Sequence, residues 1–487
     1  MSDLYLPVAL GDPDPTLREP LDLLVRLDEK LEARQLSLAY LREYYDGDQA
    51  LVYQSEKWRR AFGGMFTDFA DNWCQLVVDA VEERLNIEGF RFGDEAGDGD
   101  AWDIWQANGL DADSQIAHTD ALIYGVAYAL VWGDGRDGAR ITVESAEEVI
   151  VEYSAAARRE RSAALKRWAN DDGTLIAYLY LPEAVYKFSA GPRSADISTV
   201  GGAAVRRAAW RPLEVRGEPW PLPNPLGVVP VVPLINRPRL NVHPAHAEGV
   251  SEIKQVIPVQ DAVNKLLLDM LVASEFGAFR QRWVTGLDIP RDPETNQPVE
   301  PFRAAVDRLF MAESPDVRFG EFGATDLAPY VKAVEMLVQH IASQTRTPPH
   351  YFYLSGQFPS GESIKSAETG LVAKARRKMR HLSEAWEEVI RLAFAVTGDD
   401  RAGYLGAETI WSDPESRTEG EHVDATLKKK ALDVPIQQLW EDLGYSPQQI
   451  ERFRQMLAEQ AFLTAIAGEA GQPAPIEEPE TTTEEEV

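Results

Sequence analysis

From Ile364 to Ala393, apolar side chains recur at three- and four-residue steps: Ile364, Ala367, Leu371, Ala375, Met379, Leu382, Trp386, Val389 and Ala393. That spacing lines one face of a helix and predicts a start near Glu362 and a stop at Thr397-Gly398, where glycine suits the cap. At 1.5 Å per residue such a helix is roughly 50 Å long. Upstream, Tyr330, Val331, Val334, Leu337, Val338 and Ile341 keep the same period and predict a helix over Leu327–Ser343, capped by Thr325 or Asp326 with Pro329 in its first turn. Pro348 and Pro349 end it, because two prolines in a row cannot continue the hydrogen-bond ladder. Between the two helices lies an aromatic loop, His350-Tyr351-Phe352-Tyr353-Leu354-Ser355-Gly356-Gln357-Phe358-Pro359-Ser360-Gly361.

The rest of the chain reads as α+β. Residues 17–45 carry helical spacing (Leu24, Leu27, Leu31), as do Phe66–Leu85 and Asp111–Leu122. After Tyr124 the period shortens to two: Val126, Tyr128, Leu130 and Trp132 predict a strand, and a mostly β stretch continues to about Val215. Val228–Leu234 is an extended apolar segment. A helix is expected over Ser251–Ala278, which Pro258 either kinks or truly begins. Residues 280–323 are expected to form a small α/β unit. A short strand at Thr409-Ile410-Trp411 and helices at about 416–432, 436–443 and 447–467 follow, then a Pro/Thr/Glu-rich tail expected to be disordered.

Composition narrows the chemistry. With 487 residues, 44% of them hydrophobic, the chain is long enough for more than one core. Acids outnumber bases 79 to 49, for a net charge of −30, which excludes nucleic-acid or anionic-membrane binding through overall charge. The single cysteine, Cys74, permits no internal disulfide. Met1–Pro20 has no basic or apolar region of a secretory signal, and no apolar run approaches membrane-spanning length. The twelve tryptophans are expected in cores and subunit contacts.

Candidate chemistry is sparse, and no cofactor is expected. Gly133-Asp134-Gly135-Arg136-Asp137-Gly138 matches a dinucleotide fingerprint, yet strand-like Ala139–Glu144 follows where a phosphate-holding helix is required, so a hairpin turn is the better reading. His243 and His246, in a proline-rich stretch, lack the further ligands a zinc site needs, so no metal is expected. No P-loop, H-E-x-x-H, C-x-x-C or G-x-S-x-G motif occurs, and nothing marks a catalytic residue.

Several short stretches, in order, carry a likeness: Tyr44-Tyr45-Asp46-Gly47-Asp48; Asn72–Val81 with Gly89-Phe90; Trp105–Leu110 and the helix into Tyr124-Gly125; Val229–Asn236; Gly249–Leu271; and Pro348–Glu368. In that order, over nearly the whole chain to about residue 460, they resemble the portal proteins of tailed double-stranded DNA bacteriophages, in particular those of phages of actinobacteria. The resemblance implies a ring of about twelve subunits at one capsid vertex. Its parts would be a mainly helical wing (1–248, with the long helix and return at 362–411), a two-helix stem (249–279 and 324–345), a small α/β clip (280–323), a tunnel loop (346–361) and a helical crown (412–467), followed by an acidic tail (468–487). It also implies double-stranded DNA passing through without sequence specificity. Other implied partners are a terminase motor, a head–tail connector and capsid or scaffold proteins, with no membrane. The location would be the virion, after assembly in the host cytoplasm.

On that reading His350, Tyr351, Tyr353, Gln357 and Ser360 face the channel or neighbouring loops, unless Tyr351, Phe352 and Phe358 pack the loop against adjacent subunits. The basic run Lys374, Arg376, Arg377, Lys378 and Arg380 meets either acidic surface on a neighbouring subunit or packaged DNA. About twelve chains at −30 sum to roughly 12 × −30 = −360, a wall that repels phosphates and lets a duplex slide. The competing readings are a non-channel capsid or scaffold protein and a nucleotide-binding enzyme using Gly133–Gly138.

Overall fold

Long runs of period-3.6 and period-2 spacing become a mixed helix-and-sheet chain in the computed structural model. It describes residues 15–51, 70–93, 97–133, 138–157, 159–191, 210–239, 249–278, 282–286, 291–297, 316–321, 323, 326–352, 361–415 and 419–469. The chain divides into two compact units, one from Met1–Arg42, Val77–Glu252 and Pro359–Val487, the other from Glu43–Leu76 and Ile253–Phe358.

The first unit begins with α1 (Pro15–Asp46), one continuous helix with Pro20 inside it, whose last residues from Glu43 belong to the second unit. Its Leu24, Leu27 and Leu31 are fully buried against sheet residues Leu165, Leu179 and Phe188. Next come α2 (Trp73–Glu82), whose residues up to Leu76 belong to the second unit, and then β1 (Ile87–Arg91), α3 (Gly99–Ala107) and α4 (Leu110–Tyr124). Asp98 caps α3 by accepting from the Ala101 amide.

Strands β2 (Val126–Gly133) and β3 (Ala139–Glu144) pair antiparallel, with Gly133 opposite Ala139. The glycine-rich fingerprint therefore joins two strands of a hairpin, and no helix follows it; residues 134–137 lie outside the described residues. Then β4 (Val149–Tyr153), β5 (Arg161–Ala169), β6 (Leu175–Tyr180), β7 (Ala184–Ala190) and β8 (Arg211–Pro212) form a sheet in sequence order, with β9 (Leu222–Pro223) also on β7. The apolar segment after Val228 supplies β10 (Val231–Ile235), which pairs with β2 in a three-stranded sheet, β10-β2-β3.

Beyond β10 the chain turns back tightly onto the end of α4. The Asn236 amide donates to Gly125 O at 2.8 Å, and the Val250 amide to Asn236 O at 2.9 Å. Gly249 sits here at φ +114°, and a Cβ on it would lie 2.1 Å from Gly125 O, so no side chain fits.

The second unit contains α5 (Ile257–Ala278), β11 (Arg282–Thr285), β12 (Arg318–Glu321) and α6 (Ala328–Thr345). Pro258 is the second residue of α5, so it marks the helix start and does not kink its interior. β11 and β12 form an antiparallel pair; Phe302–Phe310, expected to complete a small α/β unit, lies outside the described residues. The N-cap of α6 is Leu327, and Asp326, one residue earlier, accepts from the Ala328 amide at 3.0 Å.

Back in the first unit, α7 (Gly361–Thr397) is the long helix the apolar stripe predicted, 37 residues in all. β13 (Glu408–Trp411) pairs with β1, a partner strand the periodicity did not announce. Three C-terminal helices end the described chain: α8 (Glu419–Lys430), α9 (Ile436–Asp442) and α10 (Pro447–Glu469). No helix among the described residues is long and apolar enough to cross a membrane.

Candidate functional site

The stretch from the end of α6 to α7 was singled out for function, and its described part runs to Phe352. Arg346 ends α6 in the left-handed conformation, at φ 59°. Thr345 is buried; its hydroxyl donates to Ile341 O at 2.8 Å and lies 2.9 Å from the Thr347 hydroxyl, satisfying polar groups where the prolines break the ladder. Pro349–Phe352 then form one 3₁₀ turn. His350 and Tyr351 are half-buried on it, their rings 4.9 Å apart. Phe352 is buried, with its ring 5.2 Å from that of Trp73. Tyr353, Gln357, Phe358 and Ser360 lie outside the described residues.

Trp73 is itself held by a polar row on α5. The Trp73 amide donates to Gln260 Oε1 at 2.8 Å, the Asp71 amide to Asn264 Oδ1 at 2.9 Å, and Tyr44 Oη to Asp261 Oδ1 at 2.6 Å. Gln260, Asp261 and Asn264 are buried polar residues with partners in place. The sequence signal for this row was present: polar residues at i and i+4 on an otherwise apolar helix.

The basic run on α7 does not act as one surface. Lys378 turns inward, donates to Glu252 and reaches Asn236 Oδ1 at 2.5 Å; Lys374 approaches the other Glu252 oxygen at 2.8 Å. The Glu252 side chain is 4% exposed and that of Lys378 7%. Asn236 completes the cluster by donating to Val250 O at 2.7 Å and to Glu252 Oε1 at 3.2 Å. Burial pushes the Glu252 carboxyl up, but the two ammonium charges outweigh it and hold the group well below the usual carboxylate range. Two cations share one anion, so burial brings Lys378 down to about 8 despite the pull of Glu252. Arg376 reaches Asp413 at 3.3 Å and Glu415 at 3.6 Å. Arg377 and Arg380 are exposed. Lys374, Arg376 and Lys378 thus have acidic partners within their own chain, and Arg376, Arg377 and Arg380 are the exposed members of the run.

The second half of α7 is fixed by aromatic contacts. The Trp386 indole stands edge-on to Trp105 at 5.0 Å and donates its N–H to His118 Nε2 at 2.9 Å. An indole nitrogen can only donate, so His118 Nε2 accepts and the proton sits on Nδ1. Burial brings this imidazole down to about 3, and it stays neutral. Just past α7, Arg401 donates to Asp98 at 2.8 Å, Asp100 at 2.8 Å and Asp399 at 2.7 Å, and lies 4.2 Å over the Phe394 ring. Cys74 is buried, its thiol pushed up to about 12, and is unreactive as a nucleophile. Among the described residues no group of His, Cys, Asp and Glu could hold a metal ion; His243 and His246 lie outside them. Lys374, Lys378 and Glu368 on this helix are engaged in buried ion pairs within the chain.

Residues 28–461 match the family model for phage portal protein, SPP1 Gp6-like. The chain belongs to this family of phage portal proteins. It is 31% identical over 412 residues to the portal protein of Mycobacterium phage D29, covering 80% of this chain and 79% of the relative. To the portal protein of Mycobacterium phage L5 it is 30% identical over 411 residues, again covering 80% and 79%. Among solved structures, it is similar to a chain of the neck of a native gene transfer agent particle computed with C12 symmetry (TM-score 0.42, 12% identity, 76% of this chain and 88% of that one). A chain of the native gene transfer agent virion is similar at TM-score 0.39 and 13% identity, over 76% and 84%. As a portal protein the chain is a component of a tailed-phage virion.

Proposed function

We propose that this portal chain assembles into a ring that forms the DNA channel at one capsid vertex, a structural and not a catalytic role. The family match over residues 28–461 carries the reading. In it, double-stranded DNA passes without sequence specificity, driven by a separate terminase motor, and the ring later carries the head–tail connector. Residues 1–248 and 362–411 form the wing, 249–279 and 324–345 the stem, 280–323 the clip, and 412–467 the crown. The segment 346–361 is the tunnel loop, with His350, Tyr351, Tyr353, Gln357 and Ser360 toward the channel or neighbouring loops. Arg377 and Arg380 are the members of the basic run left to meet a neighbouring subunit or DNA.

The net charge of −30 supports passage over gripping. Each neutralised phosphate adds affinity through released counterions, and a ring with few cationic contacts avoids that hold. Deleting residues 351–360 tests the channel role. Assembly is expected to survive while packaging of DNA into proheads is lost; normal packaging by the deleted ring overturns it.

A further inference from the structure

A cavity of about 450 Å³ lies where β1, α3, α4 and the start of α10 come together. Ser114 of α4 lines it; this residue is 4% exposed, and its hydroxyl has no hydrogen-bond partner among the described residues. Glu88 of β1 and Asp111 of α4 line it too, and among the described residues no lysine, arginine or histidine does. Burial pushes the Glu88 carboxyl up, with a Ser412 hydrogen bond pulling the other way. Asp111 accepts from the Trp105 indole at 2.9 Å and from the Gln106 amide at 2.5 Å, one donor to each oxygen, so both oxygens can accept again. Trp102, stacked on Trp105 at 6.3 Å between ring centroids, adds an aromatic wall.

The wall formed by α10 is fixed in place. A Cβ on Gly97 would lie 2.3 Å from the Pro447 Cβ, so glycine is what lets the start of α10 sit this close. The Ser446 amide donates to Gln449 Oε1 at 3.0 Å, and the Gln449 amide to Ser446 Oγ at 3.4 Å, a reciprocal cap beside which Gln448 lines the cavity. Gln115 lines it as well, and because its Nε2 donates to Asn86 Oδ1 at 3.3 Å, its oxygen is left to accept.

We propose that this cavity binds a guanidinium, the side chain of an arginine offered by another polypeptide, with its charge on Glu88 and Asp111 and its plane against Trp102. The two carboxylates, the Ser114 hydroxyl and the Gln115 oxygen all accept, and a guanidinium carries five donors and no acceptor. An ammonium is a point charge without the planar fork that pairs with a carboxylate through two hydrogen bonds. A neutral ligand would leave both carboxylates uncompensated. An anion is disfavoured as well, because Asp111 and Asp113 in the first turn of α4 already answer the positive end of that helix. The site lies within one chain and does not depend on the ring reading above.

The test titrates N-acetylarginine amide into the full chain and follows it by saturation-transfer NMR. Saturable binding at millimolar concentrations is expected, weakened about tenfold or more by Glu88→Gln and a few-fold by Ser114→Ala, with the thermal midpoint of the free chain unchanged. N-acetylglutamate amide and methyl glucoside should not compete. No binding, binding indifferent to Glu88→Gln, or equal or tighter binding of N-acetyllysine amide overturns the site. Assembly of the Glu88→Gln chain then separates the two sources of the arginine. A raised subunit concentration for half-assembly assigns it to a second copy, and unchanged assembly assigns it to a different protein. A wild-type chain that never forms rings overturns the ring reading and leaves the site standing on the probe.

Discussion

The surroundings of α7 and the C-terminal helices are built from similar residue types put to opposite uses. Around α7, charges are buried and paired: Lys374 and Lys378 with Glu252, and Glu368 with Arg84 at 3.4 Å. In α8 and α10 the charges are exposed and the leucines are too. A buried ion cluster adds little net stability over an apolar core, because desolvation offsets the Coulombic gain, but removing one partner leaves an uncompensated buried charge. Here the cluster joins the long helix to Glu252 and Asn236. Exposed leucines specify nothing inside one chain; they acquire a role when a second surface covers them. One region is packed within its own chain; the other leaves its apolar side chains exposed.

The largest effect expected from breaking this contrast is at Glu252. Glu252→Gln leaves two lysines without their counter-charge and should cost about 3–5 kcal/mol, read from denaturant midpoints. Adding Lys378→Met should recover part of the loss, since an apolar side chain needs no partner. Protonation acts in the same sense as the substitution. A carboxyl held low in the folded chain contributes stability above its ordinary value of 4.5, and that contribution is lost as pH falls below it.

Next is His118. Its folded value of about 3 lies below the ordinary 6.5, so the unfolded chain takes up the proton first, and stability falls as pH drops through that window. Between pH 7 and pH 5 the loss should be about 2 kcal/mol. His118→Leu should flatten that part of the profile; an unchanged slope would show that the imidazole is not buried neutral. Gly249→Ala should cost about 1–3 kcal/mol, because its Cβ would collide with Gly125 O. Smallest of all, Leu463→Glu should change the stability of the isolated chain by no more than about 0.5 kcal/mol. A loss comparable to that at Glu252 would mean the face is already covered within the chain, and the contrast would collapse.

Much of the architecture was legible. The stripe from Ile364 to Ala393 became α7 because a long amphipathic helix needs only its own periodicity to be recognised. Strand β1 was missed because Ile87–Arg91 is short and pairs with β13, more than three hundred residues away in sequence, a partner that no local window contains. The basic run was legible as charge but not as direction. Lys374 and Lys378 lie one turn apart and both face Glu252, which only the fold brings near, while Arg377 and Arg380 sit on the outer face. Of the aromatic loop, Phe352 proved to pack on Trp73, a contact that spacing along the chain gave no means of finding.

The most direct test of the account is negative-stain electron microscopy of the purified full-length chain. Closed rings with a central opening are expected, and a chain that remains monomeric, or joins only into open, irregular assemblies, would contradict it.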